Sequence, residues 1–251
     1  MNTFYQKIIP INEMYKCIQG EGKYTGIPHL LIRFTGCKLR CQFADSFCDT
    51  WHNSWKPEKG NVSFNDIIRL YKANPKIKHT MITGGGPTMH PVLLKELCKI
   101  GKSYGHLITI ETEGSDFVAT TADCISLSPK LSNSTPRPGT KMPYLNREVT
   151  EKDKVQHEKH RINIEAMKDL IHTHPDYQLK PVISNPEMLE EFRTLQLKLR
   201  VPNDKCWLMP EGMDDATLQK NRQWLVEYCA DHGYNYTDRL HIVIYGNLRG
   251  V

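Results

Sequence analysis

Apolar positions along the chain alternate between compact runs and helical spacing, and this alternation predicts an α/β protein. Leu30-Leu31-Ile32-Arg33-Phe34 is an apolar run holding one cation, the pattern of a buried strand whose charged position emerges at a site. Behind the capping residue Ser63, residues 65–71 carry apolar side chains at helical spacing, and Pro75 bounds that helix. Residues 79–83 read as a strand, and Pro91 opens a helix over 91–100 with Gly105 as its stop. Further strands are predicted at 107–111, 124–128, 178–184, 205–209 and 240–245. Helices are predicted at 162–172, 186–197 and 214–231, the last stopping at Gly233. Such alternation predicts crossover units, a parallel sheet, and functional residues at the C-terminal ends of strands.

Residues 131–161 break the pattern, turning polar around Ser134-Thr135-Pro136-Arg137-Pro138-Gly139, and read as an inserted surface loop or lid. No flexible linker or repeat divides the chain, so residues 1–251 are expected to form one catalytic domain. With 39% hydrophobic and 24% charged residues, the composition suits a folded globular protein with a substantial core. No apolar run reaches the length of a membrane span, and the first residues lack an export signal, so a cytoplasmic protein is expected. A net charge of +5, from 33 basic and 28 acidic residues interspersed in sign, fits a solvated surface with a site for an anionic small molecule. No nucleic-acid partner is expected at that charge density.

Eight cysteines in such a chain point to metal binding or catalysis before disulfides. Three of them, Cys37, Cys41 and Cys48, share one loop with C-x3-C-x6-C spacing. Three thiolates can hold three irons of a [4Fe-4S] cluster and leave the fourth open to an exchangeable ligand. S-adenosylmethionine can fill that position with its amino and carboxylate groups, and an electron from the cluster can then release a 5′-deoxyadenosyl radical. His52, four residues beyond Cys48, offers a second reading, a structural Cys3His zinc site. Spacing alone leaves both open. Cys17, Cys98, Cys124, Cys206 and Cys229 lie in or beside apolar segments and read as small core residues.

Other motifs follow in order: Cys17-Ile18-Gln19-Gly20-Glu21-Gly22, Arg33-Phe34-Thr35-Gly36-Cys37, Cys48-Asp49-Thr50, Thr83-Gly84-Gly85 and Glu111-Thr112-Glu113-Gly114-Ser115. Beyond them stand Ser128-Pro129-Lys130, Leu208-Met209-Pro210-Glu211-Gly212, Arg239-Leu240-His241 and the final Arg249-Gly250-Val251. Over nearly the whole chain this ordered set resembles the radical S-adenosylmethionine enzymes and, within them, the 7-carboxy-7-deazaguanine synthases. The resemblance implies a partial (β/α)6 TIM-like barrel with a modified cluster-binding loop and an inserted polar loop. It implies a ring contraction of 6-carboxy-5,6,7,8-tetrahydropterin to 7-carboxy-7-deazaguanine with loss of ammonia, on the route to queuosine. A [4Fe-4S] cluster, S-adenosylmethionine and Mg²⁺ are the implied cofactors. An electron donor such as flavodoxin or ferredoxin, and a second copy in a homodimer, are the implied partners.

Carried over by position, the resemblance assigns Ile18, Gln19, Gly20, Thr83 and the terminal Val251 to the pterin, and Arg33 to its carboxylate. A planar guanidinium can bind that carboxylate bidentately, which lysine cannot. Thr50 is the implied Mg²⁺ ligand. Phe47, Cys48, Asp49, Gly85, Ser128, Pro129, Lys130, Leu208, Met209, Pro210 and Glu211 are implied to meet S-adenosylmethionine. Two features depart from the family pattern. Six residues separate Cys41 from Cys48 where members commonly have two, and Gly86 stands where members usually carry a glutamate beside the cofactor's amino group. Glu111 and Glu113 are the candidates to replace it. A radical enzyme acting on another heterocycle, or a zinc-bearing adaptor, are the competing functions.

Overall fold

The computed structural model describes residues 3–44 and 46–251; Met1, Asn2 and, within the cysteine loop, Asp45 lie outside the described residues. A six-stranded mixed sheet forms the centre, in the order β2 (Ile11–Ile18), β3 (Pro28–Phe34), β5 (His79–Gly84), β6 (Leu107–Thr112), β7 (Cys124–Leu127) and β8 (Asp176–Leu179). The last five run parallel, and β2 lies antiparallel along β3. Register sets Arg33 beside Thr83 and beside Glu13, so the cation of the apolar run emerges at the strand ends as its pattern implies. A three-stranded parallel sheet follows, built from β9 (Val182–Ile183), β10 (Trp207–Pro210) and β11 (Asn235–Tyr236). A bridge from Leu179 to Cys206 joins the two sheets. A small antiparallel ribbon pairs β1 (Ile8–Ile9) with β4 (Val62–Ser63).

Helices pack against the sheet through their apolar stripes. After the short α1 (Trp51–Ser54), α2 (Phe64–Ala73) is opened by a capping box in which Ser63 and Asp66 satisfy each other's backbone N–H groups. Pro91 begins α3 (Pro91–Ser103), which buries Leu94, Leu97, Cys98 and Ile100. Asn163 caps α5 (Ile164–Thr173), α6 (Met188–Leu199) follows, and α7 (Asp215–His232) runs from the Asp214 cap to Gly233, whose φ of 69° ends it. Their stripes meet the strands in one main core around Ile32, Phe34, Phe64, Ile82 and Phe192. Each such side chain contributes about 1.5–3 kcal/mol on full burial.

The structure departs from the sequence expectations in four places. Ile11–Ile18 is a strand that the pattern does not announce, and its antiparallel pairing makes the sheet mixed rather than parallel. Residues 178–184 are not one strand, because Lys180-Pro181 breaks them between the two sheets and proline supplies no ladder N–H. Residues 240–245 form a helix, α8 (Leu240–Tyr245), rather than a strand; a short apolar run serves either period, and here only Ile242 is buried. The segment 131–161 is not irregular throughout. It contains α4 (Glu151–His160), opened by a Thr150/Asp153 capping box, and it buries Ser134, Met142, Val149, Asp153 and His157. Strand pairing among the described residues does not close the sheets into a ring.

Candidate active site

The C-terminal ends of β3, β5, β6, β7 and β10 open onto a cavity of about 230 Å³. On its wall stand Arg33, Thr83, Gly85, Glu111, Ser128 and Met209 from the strand ends, and Cys37, Cys41, Phe47, Cys48, Asp49 and Thr50 from the cysteine loop. Ile18, Gln19, Gly20, Lys130, Glu211 and Val251 complete the sequence-assigned residues found there. Three others are not brought to the wall: Leu208 is fully buried in the main core, and Pro129 and Pro210 flank lining residues without lining the cavity themselves.

The loop leaves the sheet at Gly36, whose carbonyl accepts from the Gly86 N–H at 2.8 Å while its own N–H donates to the Asn53 carbonyl at 2.9 Å. A side chain at Gly85 would put its Cβ 2.1 Å from the Gly36 oxygen, so glycine is required for this docking. The Leu39 N–H donates to Cys37 Sγ at 3.3 Å, and the Cys48 N–H to the Cys41 carbonyl at 3.1 Å. Cys48 Sγ lies 3.4 Å from Thr50 Oγ1. None of the three thiols is in a disulfide. Burial pushes all three up, with Glu113 adding to it at Cys37, Cys48 at Cys41 and Asp49 at Cys48, so each would have to give up its proton to bind iron. Three thiols on one cavity wall, Cys41 buried and Cys37 and Cys48 half-buried, fit the donor set of a cluster that keeps one iron open. The zinc set is not assembled: His52 is absent from the wall and its Nε2 lies 3.5 Å from Glu13 Oε1. Among the described residues no three His, Cys, Asp or Glu side chains converge for a single ion.

A chain of charges, buried at Lys180 and Arg239 and largely buried at Glu21, runs along the wall to Asp49 of the loop. Lys180, 1% exposed, pairs closely with Glu21 and lies 3.3 Å from Glu111. Arg239 Nε meets Glu21 at 3.0 Å, its Nη2 pairs with Asp49, and its Nη1 donates to the Gly212 carbonyl at 2.7 Å. Burial pushes the Glu21 carboxyl up, but Lys180 and Arg239 outweigh it and hold it well below the usual carboxylate range. Asp49 is likewise lowered, burial again being outweighed by Arg239. Breaking the Lys180–Glu21 pair leaves an uncompensated buried charge, a cost of about 3–5 kcal/mol.

Arg33 Nε lies 2.6 Å from Glu13 Oε2 without hydrogen-bond alignment. Glu13 is lowered to about 2, because contacts with His52, Arg33 and Arg249 outweigh its burial. Gln19 is buried, and its side-chain oxygen accepts from the Glu21 N–H at 3.2 Å. A Cβ at Gly20 would lie 2.2 Å from His241 Nδ1, so glycine there admits the imidazole. Lys130 Nζ donates to the Ser128 carbonyl at 2.7 Å and hydroxyl at 2.8 Å, and Ser46 Oγ donates to Glu211 at 3.0 Å.

Position 86 is where the two candidate replacement acids separate. Glu111 is held by Lys180. Glu113, 4% exposed and on the wall, accepts from the hydroxyls of Ser115 at 2.7 Å and Thr112 at 3.4 Å. A Cβ built on Gly86 would lie 3.0 Å from Glu113 Oε1, so this carboxylate lies directly beside the space a longer residue would enter.

Sequence reasoning missed several residues of the wall. Cys17, read as a core residue, lines the cavity with Sγ 3.5 Å from His29 Nε2, and burial pushes its thiol up to about 11. Arg239, His241 and Glu21 fall inside motifs but carry no role there, although Glu21, a charge between Gly20 and Gly22, was a usable signal. Lys180 gave none, because a lone lysine before proline reads as a turn.

No protein-family model matches the chain. Curated relatives do. It is 34% identical over 248 residues to the 7-carboxy-7-deazaguanine synthase of Halobacterium salinarum, covering 95% of this chain and 91% of that one. It is 35% identical over 240 residues to the 7-carboxy-7-deazaguanine synthase of Rhodopirellula baltica, covering 96% and 88%. The crystal structure of QueE from Escherichia coli matches with a TM-score of 0.62 at 20% identity, over 95% of this chain and 97% of that one, a likeness of fold.

Proposed function

Because the chain belongs to the 7-carboxy-7-deazaguanine synthases, we propose that the cavity at its strand ends is the place of their radical reaction. The enzyme is a radical S-adenosylmethionine lyase that contracts 6-carboxy-5,6,7,8-tetrahydropterin to 7-carboxy-7-deazaguanine with release of ammonia, in 7-deazaguanine biosynthesis. When bound, a [4Fe-4S] cluster, S-adenosylmethionine and Mg²⁺ together supply the adenosyl radical and assist the rearrangement.

The chain's own residues divide that work. Cys37, Cys41 and Cys48 hold the cluster, and the observation that carries the proposal is their common position on the wall of a strand-end cavity. Arg33 receives the substrate carboxylate, Gln19 presents donor and acceptor to the heterocycle edge, and Ile18, Gly20, Thr83 and Val251 enclose it. Thr50 offers its hydroxyl to Mg²⁺. Phe47, Asp49, Gly85, Ser128, Lys130, Met209 and Glu211 face S-adenosylmethionine, flanked in the chain by Pro129, Leu208 and Pro210, which do not line the cavity. Glu113 takes the cofactor's amino group in place of a glutamate at position 86, supported by its burial, its place on the wall and its closeness to Gly86. Apolar Leu31, Leu39, Met81 and Met213 keep water from the reacting atoms.

The same reading takes the α/β fold as a partial (β/α)6 barrel and the whole chain as one catalytic domain. It places the enzyme in the cytoplasm as a homodimer, reduced by flavodoxin or ferredoxin and acting on a small molecule rather than nucleic acid, by family membership. No helix among the described residues is long and apolar enough to cross a membrane.

The test is anaerobic: reconstitution with iron and sulfide, then S-adenosylmethionine, dithionite, Mg²⁺ and the carboxytetrahydropterin, with mass spectrometry for the deazapurine. Deazapurine is expected. Release of 5′-deoxyadenosine without it would favour another substrate, and stoichiometric zinc without a brown cluster would favour the adaptor.

A further inference from the structure

We infer that the inserted segment 131–161 is a clamp that sets the cysteine loop against the strand ends, with His157 and Arg137 as its positioning residues. The inference rests on the cluster-bearing reading of that loop. A six-residue gap between Cys41 and Cys48 gives the loop freedom that a cluster site must lose, since ligand geometry is fixed by the groups behind it.

Three sets of contacts, the first two meeting at Ser134, remove that freedom. The first passes through His157, fully buried on the otherwise polar α4. Its Nδ1 accepts the Arg40 N–H at 3.2 Å, from the backbone between Cys37 and Cys41. That fixes the tautomer, so Nε2–H donates to Ser134 Oγ at 3.1 Å, and Ser134 donates in turn to the Leu131 carbonyl at 2.6 Å. Leu131 directly follows Lys130, so one line of hydrogen bonds ties the cysteine loop to the segment that leaves β7.

The second set holds the gap. The Gln42 N–H donates to the Ser134 carbonyl at 2.9 Å, and the Arg137 N–H to Gln42 Oε1 at 2.7 Å. The Arg137 guanidinium donates to the carbonyls of Phe43 at 3.1 Å and Ala44 at 2.6 Å. The third is apolar: Met142 and Val149 form a small separate core with Phe47 and Trp55, and the Trp55 indole N–H donates to the Cys41 carbonyl at 3.0 Å. Phe47 immediately precedes Cys48, so the segment supports the backbone on both sides of the gap.

The test compares reconstituted full-length wild type with His157→Ala, His157→Gln, Arg137→Ala and Val155→Ser, the last on the exposed face of α4. Two quantities are measured anaerobically: the rate of iron release to a ferrous chelator, and the electron paramagnetic resonance line shape of the reduced cluster. His157→Ala and Arg137→Ala are expected to release iron about tenfold faster or more and to broaden the signal. His157→Gln, whose amide can accept from Arg40 and donate to Ser134, is expected to recover most of the wild-type rate, and Val155→Ser all of it. If His157→Ala fails to fold, Arg137→Ala decides, because Arg137 is exposed. Wild-type release and line shape in Arg137→Ala and in folded His157→Ala would overturn the clamp alone. A wild type that takes up no iron would overturn the cluster reading and the clamp with it.

Discussion

Replacing Lys180 by methionine removes the cation that stands between Glu21 and Glu111 while nearly keeping its volume. The side chain is 1% exposed, so water cannot take over its role. Loss of one partner from a buried pair costs about 3–5 kcal/mol, and Arg239, 3.0 Å from Glu21, holds the effect toward the lower end. In a chain of this size each kcal/mol moves the melting temperature by about 2–4 °C, so a fall of roughly 6–12 °C is expected. The pH dependence carries a definite sign. The folded Glu21 carboxyl is held below its unfolded value, so its stabilisation is complete above about pH 4.3 and lost as pH falls through the folded value. Lys180→Met weakens that stabilisation, so its deficit is level from neutral pH down to about pH 4.3 and narrows below it. Adding Glu111→Gln is expected to return part of the loss, since it removes one of the two stranded charges. Thermal circular dichroism of the anaerobic protein at pH 7 and at about pH 3, below the unfolded carboxyl value, measures both. A melting temperature within 2 °C of wild type, or a deficit independent of pH, would refute the pairing as the source of stability.

Other substitutions test single contacts. Glu113→Gln removes a charge-assisted hydrogen bond of about 1.5–3 kcal/mol, so S-adenosylmethionine is expected to bind roughly 10- to 150-fold more weakly by equilibrium dialysis; unchanged affinity would sink that assignment. Arg33→Lys keeps the charge but loses the bidentate fork, and a KM for the carboxytetrahydropterin raised about tenfold with cluster content unchanged is expected in steady-state assays. Gly85→Ala forces a Cβ to 2.1 Å from the Gly36 oxygen and is expected to lower the iron content of reconstituted protein; full loading would show that the loop docks elsewhere. Thr50→Val removes a hydroxyl and is expected to raise the Mg²⁺ concentration needed for half-maximal rate, read from a metal titration.

The parts legible in the sequence are those where one local signal decides. The Ser63 cap, Pro91 and Gly233 mark helix ends where the structure has them, and the apolar run with Arg33 becomes β3 with its cation at the strand end. The cysteine loop was legible because three thiols on one loop have few other uses. What escaped depended on distant partners. Ile11–Ile18 carries Asn12, Glu13 and Lys16, and becomes a strand only because β3 offers it an edge. The run 240–245 has no period that distinguishes strand from helix, and the Leu240 N–H bond to the Gly20 carbonyl, from a far part of the chain, starts the helical turn. Lys180 is buried solely because Glu21 and Glu111 receive it. The segment 131–161 reads as a solvated lid because its few inward apolar residues, Leu131, Met142 and Val149, are scattered among polar ones without a period, and a Thr150/Asp153 cap is the signal in it left unused.

The most direct test of the central claim, three thiols holding a cluster with one open iron, is the electron paramagnetic resonance spectrum of the reduced, reconstituted protein with and without S-adenosylmethionine. Expected are about four irons per chain and a signal whose line shape shifts when S-adenosylmethionine binds, both lost in Cys48→Ser. A signal indifferent to S-adenosylmethionine, or a loaded cluster in Cys48→Ser with wild-type line shape, would contradict it.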